Sequence, residues 1–374
     1  MLKVLFVVNS ASFFKSHFIQ LAMKKSNEGY DVHLASGDND LLDYYSGLGV
    51  KCHDLGFSRK GRNPFSELIV LTKLFKLIRS LKPSHIHAFT IKPVLYLGIV
   101  NKLTQCSSIN NCVFSITGLG SLYLSENLLN KIAKTIVFRL YKYCFSSRKA
   151  RVVFENEDDL TFFISEGICD KNKSFLVNGA GIDTGYYTPR SKSLTPIVVT
   201  FVGRLIKDKG IIEFIEVARR ISHINENIIF NIVGDIDENN PSSISHLELS
   251  KVKELPNIRV LGFKKDIKEI YQNTNIACLP SYREGLPKSL IEACSCGIPI
   301  VTTDVPGCRQ IVNTGKENGF LVSVKNVESL LKAILDLSSD HERLIRFSKA
   351  SREKAIEYYD YSVILDSFEK IYNS

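Results

Sequence analysis

Short apolar runs alternate along this chain with longer stretches whose apolar positions recur every three or four residues. The runs KVLFVV (3–8), YDVHLAS (30–36), KCHDLGF (51–57), HIHAF (85–89), NCVFSIT (111–117), ARVVFEN (150–156) and SFLVNGAG (174–181) predict strands. Helical periodicity predicts helices over 15–28, 64–81, 94–103, 128–148 and 158–166. The polar stretch YYTPRSKSLTP (186–196), with two prolines and no period, reads as a linker. Beyond it the alternation restarts, with strands at 197–203, 227–235, 257–263, 276–280 and 319–324, a further apolar run at 298–304, and helices at 210–221, about 266–272, 288–296, 327–337, about 340–358 and 361–372. Strand–helix alternation of this kind implies doubly wound, mainly parallel sheets. The expectation is an α/β chain of two Rossmann-like halves, residues 1–188 and 196–358, with one cleft between them. Ligands of such sheets bind at the carboxyl ends of the strands.

Composition changes this picture little, and charge changes it more. A chain of 374 residues with 44% hydrophobic and 23% charged residues suits a globular protein of two or three domains. No run reaches the roughly 18 apolar residues of a spanning helix, and the first apolar run is too short for a signal sequence. Nine cysteines show no CxxC pair or metal-ligand spacing, which points to free thiols in a reducing compartment. Cys294 and Cys296 read as helix packing. The net charge is +9, and residues 1–188 carry +8 of it (23 Lys and Arg against 15 Asp and Glu). A basic half attracts nucleic acid, anionic lipid or a phosphorylated substrate. No nucleic-acid-binding motif accompanies it, so nucleic acid is not expected as a partner.

Candidate chemistry gathers in two stretches of the second half. SYREGLPKSLIEACSCGIP (281–299) follows a strand-like run and carries a Gly285-Leu286-Pro287 turn, then a short helix closed by Gly297 and Pro299. Proline near a helix start and glycine past its end is the favoured asymmetry. A helix start at a strand end offers free N–H groups to an anion. Glu284 precedes the turn and Glu292 lies inside the helix. Two carboxylates oppose a phosphate unless they bind something else, and sugar hydroxyls are natural partners. Read blandly, Glu284 caps the helix and Glu292 is solvated. The second stretch, GRLIKDKG (203–210), follows a buried strand and precedes a helix. Arg204 offers a planar fork for phosphate, Lys209 a mobile point charge, and Gly203 and Gly210 close backbone approach. A solvated βα loop is the plain alternative.

Together these two stretches resemble glycosyltransferase family 4, the retaining enzymes of GT-B fold. HAFTIKP (87–93), TGLGSLY (117–123), VFENEDD (153–159), NGAGID (178–183), GDIDENNPSSIS (234–245) and TDVPGCRQIV (303–312) extend the resemblance over nearly the whole chain. The chain looks like bacterial N-acetylgalactosaminyl- and hexosyltransferases that extend undecaprenyl-diphosphate-linked oligosaccharides. The resemblance implies a UDP-sugar donor, a polyprenyl-diphosphate-linked saccharide acceptor and transfer with retention. It implies that Arg204 and Lys209 hold the donor diphosphate and that Glu292 accepts the ribose hydroxyls. Glu284 would sit beside the donor sugar, with the backbone of Gly285, Leu286 and Pro287 nearby, and the Gly262-Phe263 turn would pack on the base. The donor would bind in the second half and the acceptor in the first, with the last helix (361–374) packing back on the first.

The chain departs from the family at two places. The loop after the first strand reads NSASFFKSHF, without the family's glycine pair, leaving Ser10 and Ser12 as donors there. Thr117-Gly118 stands where a histidine is common. His17 and Lys92 are then candidates for the acceptor diphosphate, against surface roles for both. His85 and His87 read as strand packing rather than metal ligation. Asp235-Ile236-Asp237 spells a DxD metal motif but reads as coincidence, and no metal or other cofactor is expected. Glu284 and Glu292 are not a hydrolase pair, because one is assigned to ribose. Two basic amphipathic stretches, 64–82 and 128–151, suit a membrane surface or a solvated sheet-packing face. With a lipid-linked acceptor they point to peripheral contact with the cytoplasmic face of the inner membrane. The rival readings are a GT-B UDP-N-acetylglucosamine epimerase and a non-enzymatic membrane-associated scaffold.

Overall fold

The computed structural model describes residues 1–37, 41–57, 64–104, 106–119, 128–191, 193–313 and 315–374, with the side chains of 64 and 128–130 left aside. The chain divides into two compact units, Met1–Ala180 with Ile364–Ser374, and Gly181–Val363. The polar stretch 186–196, read above as a linker, therefore belongs to the second unit. Its Tyr187 and Thr188 carbonyls accept hydrogen bonds from Ser295, Arg352 and Gln272, which tie it to that unit's helices.

In the first unit the elements follow in order: β1 (Lys3–Val7), α1 (Ala11–His17), α2 (Ile19–Asn27), β2 (Asp31–Ser36), α3 (Leu42–Gly47), β3 (Lys51–Asp54), α4 (Pro64–Leu81) and β4 (His85–Phe89). Next come α5 (Ile91–Thr104), β5 (Asn111–Ile116), α6 (Leu128–Phe145), β6 (Ala150–Phe154), α7 (Glu157–Ser165) and β7 (Ser174–Leu176). All seven strands are parallel, in the order β3-β2-β1-β4-β5-β6-β7. Parallel sheets are covered on both faces, which is why β1, β4 and β5 read as nearly unbroken buried runs. The helix expected over 15–28 is two helices. Phe18 leaves helical geometry between them, and its ring is buried against Phe89.

The second unit holds β8 (Ile197–Val202), α8 (Ile211–Ile221), β9 (Ile228–Val233), α9 (His246–Val252), β10 (Ile258–Gly262), α10 (Lys268–Gln272) and β11 (Ile276–Leu279). It continues with α11 (Lys288–Ser295), β12 (Ile300–Thr303), α12 (Pro306–Asn313), β13 (Gly319–Val322), α13 (Val327–Ser339), α14 (His341–Lys354) and α15 (Tyr361–Tyr372). Its sheet is parallel in the order β10-β9-β8-β11-β12-β13. α8 buries Ile211, Phe214, Val217, Ala218 and Ile221, one face of a 3.6-residue repeat. From Ile364 onwards α15 belongs to the first unit, where Ile364, Phe368, Ile371 and Tyr372 pack among core residues of β1, β2 and β4.

Candidate active site

In the second sheet the strand order reverses between β8 and β11, with β9 and β10 on one side and β12 and β13 on the other. In open α/β sheets the carboxyl ends at such a point form the ligand crevice. The segments leaving β8 and β11 there are 203–210 and 280–287, the two stretches that the sequence marks.

They are joined directly. The Tyr282 N–H donates to the Asp208 carbonyl at 2.9 Å. Gly210 has φ +73°, and a Cβ there would lie 2.1 Å from the Pro280 carbonyl oxygen, so only glycine lets the loops meet. Lys209 Nζ donates to Glu284 Oε1 at 2.5 Å. The Ser281 hydroxyl donates to the same oxygen at 2.5 Å, and the Ser281 carbonyl accepts from the Thr303 hydroxyl. Glu284 Oε1 is thus anchored by two donors, while Oε2 takes no hydrogen bond among the described residues. Gly307, at the start of α12, supports the turn from below. Its N–H donates to the Glu284 carbonyl at 3.3 Å, and a Cβ on it would lie 2.1 Å from the Gly285 carbonyl oxygen. Beneath the turn lies Cys308, whose thiol burial pushes up to about 12, which keeps it unreactive.

Arg204 is exposed, and its Nη1 donates to Asp237 Oδ2 at 2.7 Å. Asp235 Oδ1 accepts the Phe263 N–H at 3.2 Å. Both carboxylates of the DxD spelling are therefore engaged with the protein. Among the described residues no group of three or more His, Cys, Asp or Glu is placed to hold a metal. Gly203 donates its N–H to Val233, and Gly262 closes β10 at φ +67° with the Phe263 ring 68% exposed beside it.

Leu286 is buried in the turn, and Pro287 takes the cap position of α11 without a side-chain cap bond. Glu292 lies in the second turn of that helix and is not solvated: it is 8% exposed. Burial raises its pKa, opposed by the Lys288 ammonium 3.7 Å away and a hydrogen bond from Tyr187. The Tyr187 hydroxyl is in turn pushed up by burial and then by the Glu292 charge. A mostly buried carboxylate is costly unless it is paired or hydrogen-bonded.

The acceptor candidates of the first unit are less concentrated. Its sheet reverses between β1 and β4, so the loops after those strands form its crevice. Ser10 is there, but as the cap of α1, accepting from the Phe13 N–H. Ser12 is exposed two residues further on. His17 lies at the far end of α1, stacked on Phe13 with 4.4 Å between ring centroids, and is not at the strand ends. Lys92 lies in the first turn of α5 rather than in a loop, and its Nζ pairs with Glu67 at 2.8 Å. Sequence reading passed over Asn9 and Thr90, which meet at the crevice itself. The Asn9 amide donates to the Thr90 hydroxyl at 2.9 Å, and Thr90 has φ +70°, an uncommon state for a β-branched residue. Both lie within stretches already marked, NSASFF and HAFTIKP, but neither residue type signals such a role alone. Of TGLGSLY, residues 120–123 lie outside the described residues. His87 is fully buried, 2.7 Å from both the Tyr372 and the Ser115 hydroxyls, in a packing role.

Two parallel α/β sheets, each with its own switch-point crevice, form the fold of a GT-B glycosyltransferase. The structure aligns with that of Anabaena HepE in complex with UDP and glucose, at TM-score 0.76 over 100% of both chains and 16% identity. A family model described as "Glycosyl transferases group 1" matches residues 189–354, and one described as "Glycosyl transferase 4-like" matches 3–156. Between them the two models match both units, and the chain is a glycosyltransferase. It is 29% identical over 340 residues (87% of this chain, 86% of the relative) to the N,N'-diacetylbacillosaminyl-diphospho-undecaprenol alpha-1,3-N-acetylgalactosaminyltransferase of Campylobacter jejuni. It is 23% identical over 360 residues (92% and 89%) to the UDP-Gal:alpha-D-GlcNAc-diphosphoundecaprenol alpha-1,3-galactosyltransferase of Escherichia coli.

Proposed function

We propose that this glycosyltransferase moves a hexose or N-acetylhexosamine, with retention, from a UDP-sugar to a hydroxyl of a polyprenyl-diphosphate-linked saccharide in bacterial surface-glycan assembly. The observation that carries this reading is the Lys209–Glu284 pair, which joins the two loops at the β8/β11 switch point. The Campylobacter and Escherichia relatives, whose names specify undecaprenyl-diphosphate-linked substrates, support the choice of acceptor.

In this reading the donor diphosphate settles between Arg204, Lys209 and the first turn of α11. Both cations are held in advance by carboxylates, Asp237 and Glu284, so donor binding exchanges one anionic partner for another. Preset cations of this kind stabilise the charge that grows on the departing UDP without reorganising at the moment of transfer. Their charge suffices for the diphosphate, and the reading requires no metal. Glu284 Oε1 stays on Ser281, and Oε2 accepts from a donor-sugar hydroxyl. Glu292, already buried, gains ribose hydroxyls as partners, which an epimerase and a transferase share. The acceptor diphosphate meets the β1/β4 crevice of the first unit around Asn9, Ser10 and Thr90. The protein works peripherally on the cytoplasmic face of the inner membrane and does not engage nucleic acid.

Radiolabelled UDP-hexoses and UDP-N-acetylhexosamines, incubated with the protein and a lipid-linked saccharide, test this reading. Label should enter the lipid fraction from one donor class. Lys209→Ala and Glu284→Ala should abolish transfer while the fold persists. Label confined to an epimerised nucleotide sugar, or none in lipid with any donor, refutes the proposal.

A further inference from the structure

The stretch 186–196 carries no sign of chemistry in the sequence, yet one of its side chains reaches a residue of the candidate donor site. Glu292 stands in the second turn of α11 and is mostly buried. The Tyr187 hydroxyl donates to its carboxylate. The Tyr187 carbonyl accepts from the Ser295 hydroxyl at 2.6 Å. Glu292 and Ser295 are three residues apart and share one face of α11, so Tyr187 grips that face at two points. Its backbone is fixed from α14 and α10 as well. Arg352 Nη1 donates to the same carbonyl at 2.9 Å and Nη2 to the Thr184 carbonyl at 3.0 Å. Gln272 donates to the Thr188 carbonyl at 3.0 Å. The Tyr186 ring stands edge-on to the Tyr187 ring, 5.2 Å between centroids, and its own hydroxyl donates to Asp266.

The other groups that face Glu292 leave this hydroxyl a specific task. Lys288, on the same helix, brings a cation to 3.7 Å. Asp266, from the loop before α10, adds a like charge. Tyr271 on α10 gives its hydroxyl to the Ser289 carbonyl at 2.7 Å. Tyr361 stands at the start of α15, and burial followed by the Glu292 charge pushes both of these phenols up. Burial raises the Glu292 carboxyl, and Lys288 and the Tyr187 hydrogen bond oppose that rise. A hydrogen bond to the charged form favours it and fixes the rotation of the carboxylate. An ionised carboxylate has about four acceptor sites. Tyr187 takes one, which leaves room for a vicinal pair of hydroxyls.

We infer that Tyr187 is a positioning residue of the donor site, whose hydroxyl holds the Glu292 carboxylate as an oriented acceptor for the ribose hydroxyls of UDP. The inference rests on the donor reading above, in which Glu292 meets the ribose. Tyr187 lies outside both marked loops, and its bond to Glu292 ties donor affinity to pH. Ribose hydroxyls donate to the charged carboxylate, so affinity is lost as the pH falls through the folded-state pKa of Glu292. Without the Tyr187 hydroxyl burial is less opposed, and Glu292 ionises only at higher pH. The loss of affinity then begins at higher pH.

Calorimetry of the full chain between about pH 5 and 9, with UDP and with UDP lacking both ribose hydroxyls, tests this role. The two ligands carry the same diphosphate, so their affinity ratio reads the ribose contact alone. In the parent the ratio should favour UDP. Tyr187→Phe keeps the ring and the backbone bonds, so the fold should persist, which melting curves check. It should lower the ratio about tenfold or more near pH 6, shift the pH at which the ratio falls upwards by about one unit or more, and let it recover as the pH rises. The ligand without ribose hydroxyls should bind as it does to the parent. With Glu292→Gln in place, adding Tyr187→Phe should change the ratio by less than about twofold. A Tyr187→Phe ratio that follows the parent's at every pH overturns the inference. So does an equal loss for both ligands, since the hydroxyl would then support the fold of the site rather than the carboxylate. If Glu292→Gln keeps the parent's ratio, Glu292 does not meet the ribose, and the donor reading at that residue falls together with the inference. If Glu292→Gln loses the ratio and Tyr187→Phe does not, the inference falls alone.

Discussion

At the scale of single residues, Glu292 separates stability from function. Its carboxylate is buried, and its pKa is raised by that burial above the ordinary 4.5. The folded chain therefore holds a proton where the unfolded chain releases it, and ionising Glu292 costs the fold stability above its folded pKa. At pH low enough to protonate both states the cost vanishes. Glu292→Gln should raise the melting temperature at neutral pH, with the gain shrinking as the pH falls towards about 4. The same variant should weaken UDP binding by roughly tenfold or more, because hydrogen bonds to a charged acceptor are worth about 1.5–3 kcal/mol. Melting curves across pH and calorimetry with UDP read the two effects. A stability gain that does not vary with pH would sink the titration argument, and unchanged UDP affinity would show that Glu292 is only a core carboxylate. Glu284 is the contrasting case: it is held by Lys209 and Ser281 at one oxygen, so its position is set by hydrogen bonds rather than by burial alone.

At the scale of elements, α12 is fixed at both ends and braces the 284–287 turn with its first. Its first turn carries Gly307 against the Gly285 carbonyl. Its last carbonyls, of Ile311 and Val312, accept from the buried Lys354 ammonium, whose pKa burial lowers to about 8. Gly307→Ala should push the Glu284–Leu286 turn out of place, destabilise the protein by about 1–3 kcal/mol as overpacking does, and weaken UDP binding. Gly47→Ala is its control: that glycine lies in a helix with nothing within 4 Å of its Cβ position, and the change should be neutral or stabilise by up to about 1 kcal/mol. Denaturant unfolding and UDP calorimetry compare the two. A Gly307→Ala protein that unfolds and binds like the control removes α12 from the support of the site. The role of α12 was hidden in the sequence, although its residues lie within TDVPGCRQIV. The strands were legible because burial on both faces writes continuous apolar runs, as in LFVV or IACL. The helix start at Lys288 was legible because Pro287 and Gly297 bracket it. The break at Phe18 was not, because an aromatic side chain that leaves the helix to reach Phe89 follows no local rule. Asn9 and Thr90 escaped for the same reason: their meeting depends on β1 and β4 being neighbours, which sequence distance conceals.

At the scale of the whole molecule, the chain's last residues belong to its first unit, and this sets where a terminal lesion acts. Tyr372 closes α15 with its hydroxyl 2.7 Å from Nδ1 of the buried His87, while its carbonyl accepts from the Asn111 amide at 2.6 Å. His87 sits in β4 and Asn111 in β5, so α15 is fastened to the central strands of the first sheet. Burial lowers the pKa of His87 well below the usual range, so a charged imidazole cannot replace the lost bond. Tyr372→Phe leaves a buried ring nitrogen without its partner, at a cost of about 1–3 kcal/mol. That cost falls on the unit that contains β4 and β5, and local opening follows cooperative units rather than sequence order. Hydrogen exchange should therefore accelerate at the amides of β4, β5 and α15, while β8 and β11 keep their protection and UDP binding stays within twofold of the parent. Removing Ile364–Ser374 altogether should exaggerate the same pattern, because the apolar face that Ile364, Phe368 and Ile371 cover is then exposed. Protection lost equally in β8 and β11 would mean that the two units open as one, and the assignment of the tail to the first unit's stability alone would be wrong.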